Sequence, residues 1–341
     1  MKEKNMINNI KYYITRNTVP YINLAVEEYL LNNVLDGECI LFLWQNKHTV
    51  VIGKNQNAMR ECKVEKLESD GGYLVRRLSG GGAVFHDLGN LNFTFLTKKG
   101  DYDVNKQLEV ILRAVGKLGI NAEKTGRNDI EICGKKFSGN AFYKSGEKCY
   151  HHGTIMVDVE KEMLSKYLNA SVEKLASKGV KSVKSRVVNL AECTAGVTVE
   201  VVKEKLVEAF GEVYGLMPKE ILDEAFDRKE IEKLTAKFSD WNWCFGRLAS
   251  FGYEISKRFG WGEIQLHLDV KEGKIKDVEV YTDAMDTQFF ADIPCVLKGL
   301  PFSWAVLAAA IDKIEKSDLV SMSMVEDIKE LLLHGGEGNG R

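Results

Sequence analysis

Between Arg76 and His86 the run RRLSGGGAVFH sets two arginines, three consecutive glycines and a histidine within eleven residues. The glycines, Gly80 to Gly82, remove every β-carbon from a loop between YLVRR and AVFH, so backbone N–H groups can approach a ligand or the chain can enter positive φ. Taken alone, the pattern describes a turn between strands equally well. Arg76 and Arg77 shift the balance, because a guanidinium fork beside exposed amides matches the oxygens of a carboxylate or phosphate. The expectation is an anion site. No G-x-x-x-x-G-K-[ST] run occurs and no G-x-G-x-x-G opens a helix after a strand, which argues against P-loop and Rossmann nucleotide binding.

Three further constellations carry reactive side chains. In GRNDIEICGKKFSGNAFY, Gly126 to Tyr143, the adjacent Lys135 and Lys136 face opposite ways if the segment is a strand. One could then enter a cleft, with Gly139 admitting a ligand close to the backbone, or both could lie in a solvated turn. In HHGTIMVDV, His151 and His152 also alternate; with no carboxylate or cysteine at ligand spacing, packed histidines are favoured over a metal site with His86. Cys149, two residues upstream, invites a nucleophile reading against the commoner inert thiol. The basic run KLASKGVKSVKSRVVNL, Lys174 to Leu190, reads either as a solvated loop or as a contact for a phosphate-bearing ligand or acidic partner.

These groups need elements to hold them. YINLAVEEYLLNNV after Pro20 has helical spacing, ECILFLWQ and HTVVIG are short apolar runs, and VNKQLEVILRAVGKLG is helical again. NLNFTFL alternates, placing Leu91, Phe93 and Phe95 on one face and Asn92, Thr94 and Leu96 on the other, as a half-buried strand would. NDIEIC, KKFSGNAFY and HHGTIMVDV read as further strands. VEVVKEKLVEAFGEVYG and LDEAFDRKEIEKLTAKF read as helices. Past a boundary near Arg247, EIQLHLDV, KEG and KIKDVEVYT form a hairpin, followed by helices in SWAVLAAAIDKIEK and SMVEDIKELLLHG. Helices and strands mix without regular alternation, so the expected class is α+β with a mixed or antiparallel sheet.

Composition sets the outer bounds. With 341 residues, 45% of them hydrophobic, the chain can bury a substantial core, and a net charge of −2 gives no reason to expect nucleic acid or an anionic membrane as partner. Seven cysteines without a C-x-x-C pair speak for reduced thiols in a cytosol and against structural zinc. The most apolar later run, GLPFSWAVLAAAI, is too short to span a bilayer as a helix, and the N-terminus has no export-type apolar core. A cytoplasmic monomer is the default, with a frayed tail GGEGNGR.

In this order, RRLSGGGAVFHDLGNLNFTF, GRNDIEICGKKFSGNAFY, HHGTIMVDV and KGVKSVKSRVVNL closely resemble the bacterial lipoate-protein ligase family. NLAVEEYLL, WQNKHTVVIGKNQN, SDWNWCFG and VEVYTDAMD resemble its two-domain form, so the likeness covers nearly the whole chain. It implies a biotin/lipoate ligase-like catalytic domain over 1–247 and a small α+β accessory domain over 253–341. It also implies ATP and Mg²⁺ as cofactors and lipoate as substrate. The acceptors would be apo lipoyl domains of 2-oxoacid dehydrogenase E2 subunits or the glycine cleavage H protein.

By resemblance, the lysine before FSG is the family's essential one, which selects Lys136 and places it between the lipoate carboxylate and the α-phosphate. Arg77 with the backbone of Gly82, Ala83, Val84 and Phe85 would hold ATP. Arg76, Ser79, Gly81 and His86 would border the lipoate. Asp129, the acidic residue nearest Lys136 in sequence, is expected either to contact Mg²⁺ or to orient Lys136. The basic run matches a loop that closes over the adenylate. Three rivals remain: a cysteine-dependent octanoyl or lipoyl transferase, with Cys133 and Cys149 as candidates and the C-terminal region against it; a biotin ligase, which would carry a G-R-G-R-type loop; and a non-catalytic binder.

Overall fold

The computed structural model describes residues 7–125, 129–169, 187–245, 253–316, 320 and 322–334. Two compact units emerge. One comprises Met1–Val51, Cys62–Arg76 and Val84–Cys244; the other comprises Ile52–Glu61, Arg77–Ala83 and Phe245–Arg341. Two short early segments, one of them the glycine-rich loop, therefore pack with the C-terminal unit.

The first unit is built on an eight-stranded mixed sheet in the order β11-β1-β2-β6-β10-β9-β8-β7. Its strands are β1 (Asn9–Ile14), β2 (Glu38–Trp44), β6 (Asn90–Lys98), β7 (Glu123–Thr125), β8 (Asp129–Ile132), β9 (Lys135–Ser145), β10 (Lys148–Met156) and β11 (Lys219–Glu220). β1 runs parallel to β2 and β11, and the other neighbours are antiparallel. A smaller sheet, β4-β3-β5, is formed by β3 (Thr49–Ile52), β4 (Tyr73–Arg76) and β5 (Val84–His86). The α+β expectation and its mixed sheet are met.

One face of the large sheet carries the core: Leu91, Phe93 and Phe95 of β6 join Leu41, Leu43, Ile130, Phe137 and Ile155 beneath the helices Val104–Gly116 and Val199–Tyr214. Asp103 caps the first of these helices, accepting a hydrogen bond from Lys106 N at 3.1 Å, and Gly215 ends the second at φ +67°. β6 differs from the half-buried strand expected, because Asn90–Thr97 is buried throughout. The second face is covered by the helix Pro20–Asn33, and its polar residues find partners there: Thr94 Oγ1 donates to Glu27 Oε1 at 2.7 Å.

The second unit folds as a three-stranded antiparallel sheet, β12 (Tyr253–Phe259), β13 (Gly262–Lys271) and β14 (Lys274–Thr282), packed on the helices Gln288–Leu297, Trp304–Ala310 and Met322–His334. The hairpin KEG turn is present, with Glu272 and Gly273 at positive φ. β12 and the helix Gln288–Leu297 escape a periodicity reading. The strand sequence YEISKRF offers a single buried position, Ile255, and the helix carries Pro294 within it, a residue that argues against a helix interior. The position Arg247, the tail GGEGNGR and residues 174–186 of the basic run lie outside the described residues. Among the described residues, no helix is long and apolar enough to cross a membrane.

Candidate functional site

Lys136 owes its direction to a β-bulge. β8 and β9 pair Asp129 with Gly139 and Ile130 with Ser138, then shift register so that Glu131 faces Lys136. Phe137 is the extra residue, and its ring enters the core beside Ile130. A bulge inserts one residue, so the side chains on its two sides no longer keep the regular alternation of faces. Lys136 thereby leaves the core face and joins Gly139 and Asp129 on the other, while Lys135 is exposed. Its Nζ forms an ion pair with Asp129 Oδ1 at 2.7 Å, where the Asp129 side chain is only 11% exposed. Because a β-carbon on Gly139 would stand 2.7 Å from Lys136 Nζ, the glycine clears the lysine's own path. The expectation of room for a ligand thus becomes room for a side chain.

The same face continues across β10 and β6. Thr154 lies opposite Gly139 on one side and Asn92 on the other, and its Oγ1 accepts a hydrogen bond from Gly139 N at 3.3 Å. Two residues along, His152 Nδ1 sits 2.8 Å from Glu27 Oε1, which also receives Thr94 Oγ1, itself the acceptor for Trp44 Nε1 at 3.1 Å. Sequence reading did not single out this buried quartet. The sequence NLAVEEYLL offers two adjacent carboxylates, Glu27 and Glu28, and burial of Glu27 is what distinguishes them. His151, on the core face, has its pKa pushed down to about 3, chiefly by burial and further by His152 and Lys124. The packed-histidine expectation describes both.

The glycine-rich segment is organised from within. Arg77 turns its guanidinium onto its own loop: Nε donates to Ser79 Oγ at 3.0 Å, and Nη2 donates to the carbonyls of Gly80 at 2.7 Å and Gly82 at 2.9 Å. Gly80 lies against the chain after β14, where a β-carbon would meet the Ala284 carbonyl oxygen at 2.3 Å. Gly81, at φ +89°, donates its N–H to Ala284 O at 3.1 Å. Two of the three glycines are therefore accounted for by close backbone packing and a left-handed turn.

The adjacent arginines part company. Arg76 donates from Nε to Trp243 O at 2.9 Å and from Nη2 to Cys244 O at 2.7 Å, tying down the last turn of the helix Trp241–Phe245. Trp243 Nε1 returns a hydrogen bond to Arg76 O. Phe85 stacks on Tyr167 with centroids 5.4 Å apart, Val84 pairs with Val51, and His86 Nδ1 is 3.3 Å from Asn46 Nδ2. Ala83 is half-buried at the end of the loop. The structure thus gathers Lys136, Asp129 and Gly139 on one unit. Arg77, Ser79 and Gly80 to Gly82 are gathered on the other.

Among the described residues, no three His, Cys, Asp or Glu side chains gather as a metal site. A single carboxylate such as Asp129 fits a Mg²⁺ brought in on nucleotide phosphates rather than a protein-built cage. The cysteines are all free thiols, and burial pushes the Cys149 thiol up from its ordinary value. That is the wrong direction for a nucleophile at neutral pH.

With this geometry in hand, comparison with known proteins is specific. Residues 19–211 match the lipoyl protein ligase A/B catalytic domain, and residues 249–332 match the bacterial lipoate protein ligase C-terminus. Lipoate-protein ligase A of Psychrobacter cryohalolentis is 40% identical over 94% of this chain and 97% of its own. The structure of P. falciparum LipL1 in complex with lipoate has a TM-score of 0.85 at 29% identity, covering 96% of this chain and all of that one. A lipoate-protein ligase A solved bound with ATP has a TM-score of 0.59 at 25% identity, covering 71% of this chain and 99% of that one. Two family domains in the expected order and identity sustained over nearly the full length of both chains mean that this protein belongs to the lipoate-protein ligase A family.

Proposed function

We propose that the chain joins lipoate to protein in two steps on one set of residues. The lipoate carboxylate oxygen attacks the α-phosphorus of ATP and pyrophosphate leaves, giving a mixed anhydride. The uncharged ε-amine of an acceptor lysine then attacks the acyl carbon; an amide forms, AMP leaves, and the amine proton passes to solvent or phosphate. No enzyme nucleophile is required, so the protein's contribution is positioning and charge stabilisation. Mg²⁺ carried by the nucleotide would help neutralise its phosphates.

The observation that carries this reading is the Lys136 ammonium held by Asp129 above the Cβ-free surface of Gly139. A cation fixed there can bridge a carboxylate and a phosphate, and Asp129 is assigned to orient it. Arg77 acts through the loop it shapes, whose backbone from Gly82 to Phe85 is assigned to the nucleotide. Ser79, Gly81 and His86 are assigned to the lipoate side, and Arg76 holds the Trp241–Phe245 turn. The acceptors are apo lipoyl domains of 2-oxoacid dehydrogenase E2 subunits or the glycine cleavage H protein, in the cytosol that seven free thiols suit. The working form is a monomer.

The test combines the protein with ATP, Mg²⁺, lipoate and an apo lipoyl domain while AMP release and acceptor mass are followed. Lys136→Ala should cut the rate by about two to three decades, the usual loss for one preorganised donor. Acylation from an acyl carrier without ATP, abolished by Cys149→Ala and retained in Lys136→Ala, would reverse the assignment in favour of the thioester transferase.

A further inference from the structure

Lys136 lies where one strand runs out of neighbours. β10 pairs with β9 only as far as Ile155 opposite Ser138, so the edge of β9 at Lys136 has no β10 partner. A different segment fills that lane: Val187 bridges Lys136 in parallel fashion, and Val188 N donates to Lys136 O at 3.0 Å. The backbone of Lys136 is therefore gripped by Glu131 of β8 on one side and by Val187–Val188 on the other.

What holds Val187–Val188 in place is the next residue. Asn189 is 4% exposed, and its side chain closes a two-point clamp on Val159: Oδ1 accepts from Val159 N at 3.1 Å, and Nδ2 donates to Val159 O at 3.0 Å. The backbone N–H of Asn189 is taken by Glu192 Oε1 at 3.1 Å, and that carboxylate is paired with Lys161 at 2.6 Å. Ala191 N donates to Val157 O, so the clamp and a second bond both tie the segment to the chain leaving β10. An amide is suited to this task, since meeting one N–H and one C=O of the same residue takes an acceptor and a donor side by side.

We infer that Asn189 is a positioning residue for the ligation reaction, setting the Lys136 ammonium by locking Val188 against the lysine's own carbonyl. The inference rests on the assignment of Lys136 to the reacting centre. A bulge leaves the backbone locally short of ladder bonds, so its orientation depends on neighbours outside the sheet. Here the neighbour is pinned by the Asn189 clamp beside the Ala191–Val157 bond, and Asn189 supplies the side-chain part of that hold. Releasing it should disturb the placement of a group whose value lies in placement, without removing any group assigned to ATP or lipoate.

The experiment is lipoate-dependent ATP–pyrophosphate exchange on the full chain, comparing wild type, Asn189→Ala, Asn189→Asp, Lys136→Ala and the Asn189→Ala/Lys136→Ala pair. Asn189→Ala should lower kcat about ten- to a hundredfold, the loss expected from an ångström-scale misplacement, with KM for ATP and lipoate within about threefold of wild type. Asn189→Asp keeps the acceptor for Val159 N and loses the donor to Val159 O, so it should fall between the two; it carries the test if the alanine variant does not fold. On the Lys136→Ala background, Asn189→Ala should add less than about threefold, because residues acting as a unit are not additive. Wild-type kcat in a folded Asn189→Ala, or a full additional loss on the Lys136→Ala background, would overturn the inference. Wild-type exchange in Lys136→Ala would instead remove the lysine assignment on which it rests.

Discussion

Lys136 lies across Gly139: a β-carbon on the glycine would meet the lysine Nζ at 2.7 Å and Cε at 2.9 Å. The two residues share a face of β9 only because the bulge at Phe137 turns Lys136 away from the core. Gly139→Ala should therefore displace the ammonium rather than the backbone. Since the atoms met are the far end of a flexible side chain, stability should change by less than about 1 kcal/mol, while lipoate-dependent exchange should drop about tenfold or more. A variant that melts with wild type and exchanges with wild-type kcat would show that the lysine need not lie there.

Asp129 supplies the other constraint on the ammonium, at 2.7 Å. Asp129→Asn keeps the shape and loses the charge, so Lys136 is no longer held by an anion. The exchange rate should fall by about one to two decades, in the range seen when a preorganised charge contact is lost. Titrating Mg²⁺ in the same assay separates the carboxylate's two assigned tasks. A loss that excess Mg²⁺ restores points to metal binding, and one that it leaves unchanged points to orientation of Lys136.

Gly80 is fixed by backbone contact, not by flexibility, because a β-carbon there would stand 2.3 Å from Ala284 O and 2.7 Å from Met285 O. Gly80→Ala should cost about 1–3 kcal/mol, as overpacking against an unyielding neighbour does. Gly116, at the end of the helix Val104–Gly116, meets nothing within 4 Å, so Gly116→Ala should be neutral or gain about 0.4–1 kcal/mol. Urea unfolding of the two variants alongside wild type checks both signs.

His151 makes stability depend on acid. Its folded-state pKa of about 3 lies below the ordinary 6.5, so the unfolded chain binds the proton more readily between these values. The contribution of the neutral, buried ring is fully present above about pH 6.5 and is lost as pH falls towards 3, at up to about 1.4 kcal/mol per pH unit. His151→Gln retains a partner for Asn140 Oδ1, which lies 2.8 Å from His151 Nε2, and does not titrate. It should flatten the stability profile in this window by that slope, measured by urea unfolding at stepped pH.

Several features were legible from local pattern. The alternation of Leu91, Phe93 and Phe95 determined which face of β6 meets the helices, and helical spacing located Pro20–Asn33 and Val199–Tyr214. The order of the motifs RRLSGGGAVFH, GKKFSGNAFY and HHGTIMVDV carries the resemblance to the family. Local spacing can do this because the periods of strand and helix are properties of the backbone itself.

What tertiary structure alone decided depends on partners distant in sequence. The spacing leaves Lys135 and Lys136 equivalent alternatives, and the register shift against β8 turns the second towards Asp129. Arg76 and Arg77 look like one cationic pair, yet one meets the carbonyls of Trp243 and Cys244 and the other its own loop. The glycine run reads as a ligand cradle, yet Gly80 and Gly81 lie against the backbone of Ala284, far along the chain. A bulge, a close backbone approach and the destination of a buried guanidinium are all settled by which groups lie within a few ångströms, and burial leaves each polar group obliged to find a partner among them.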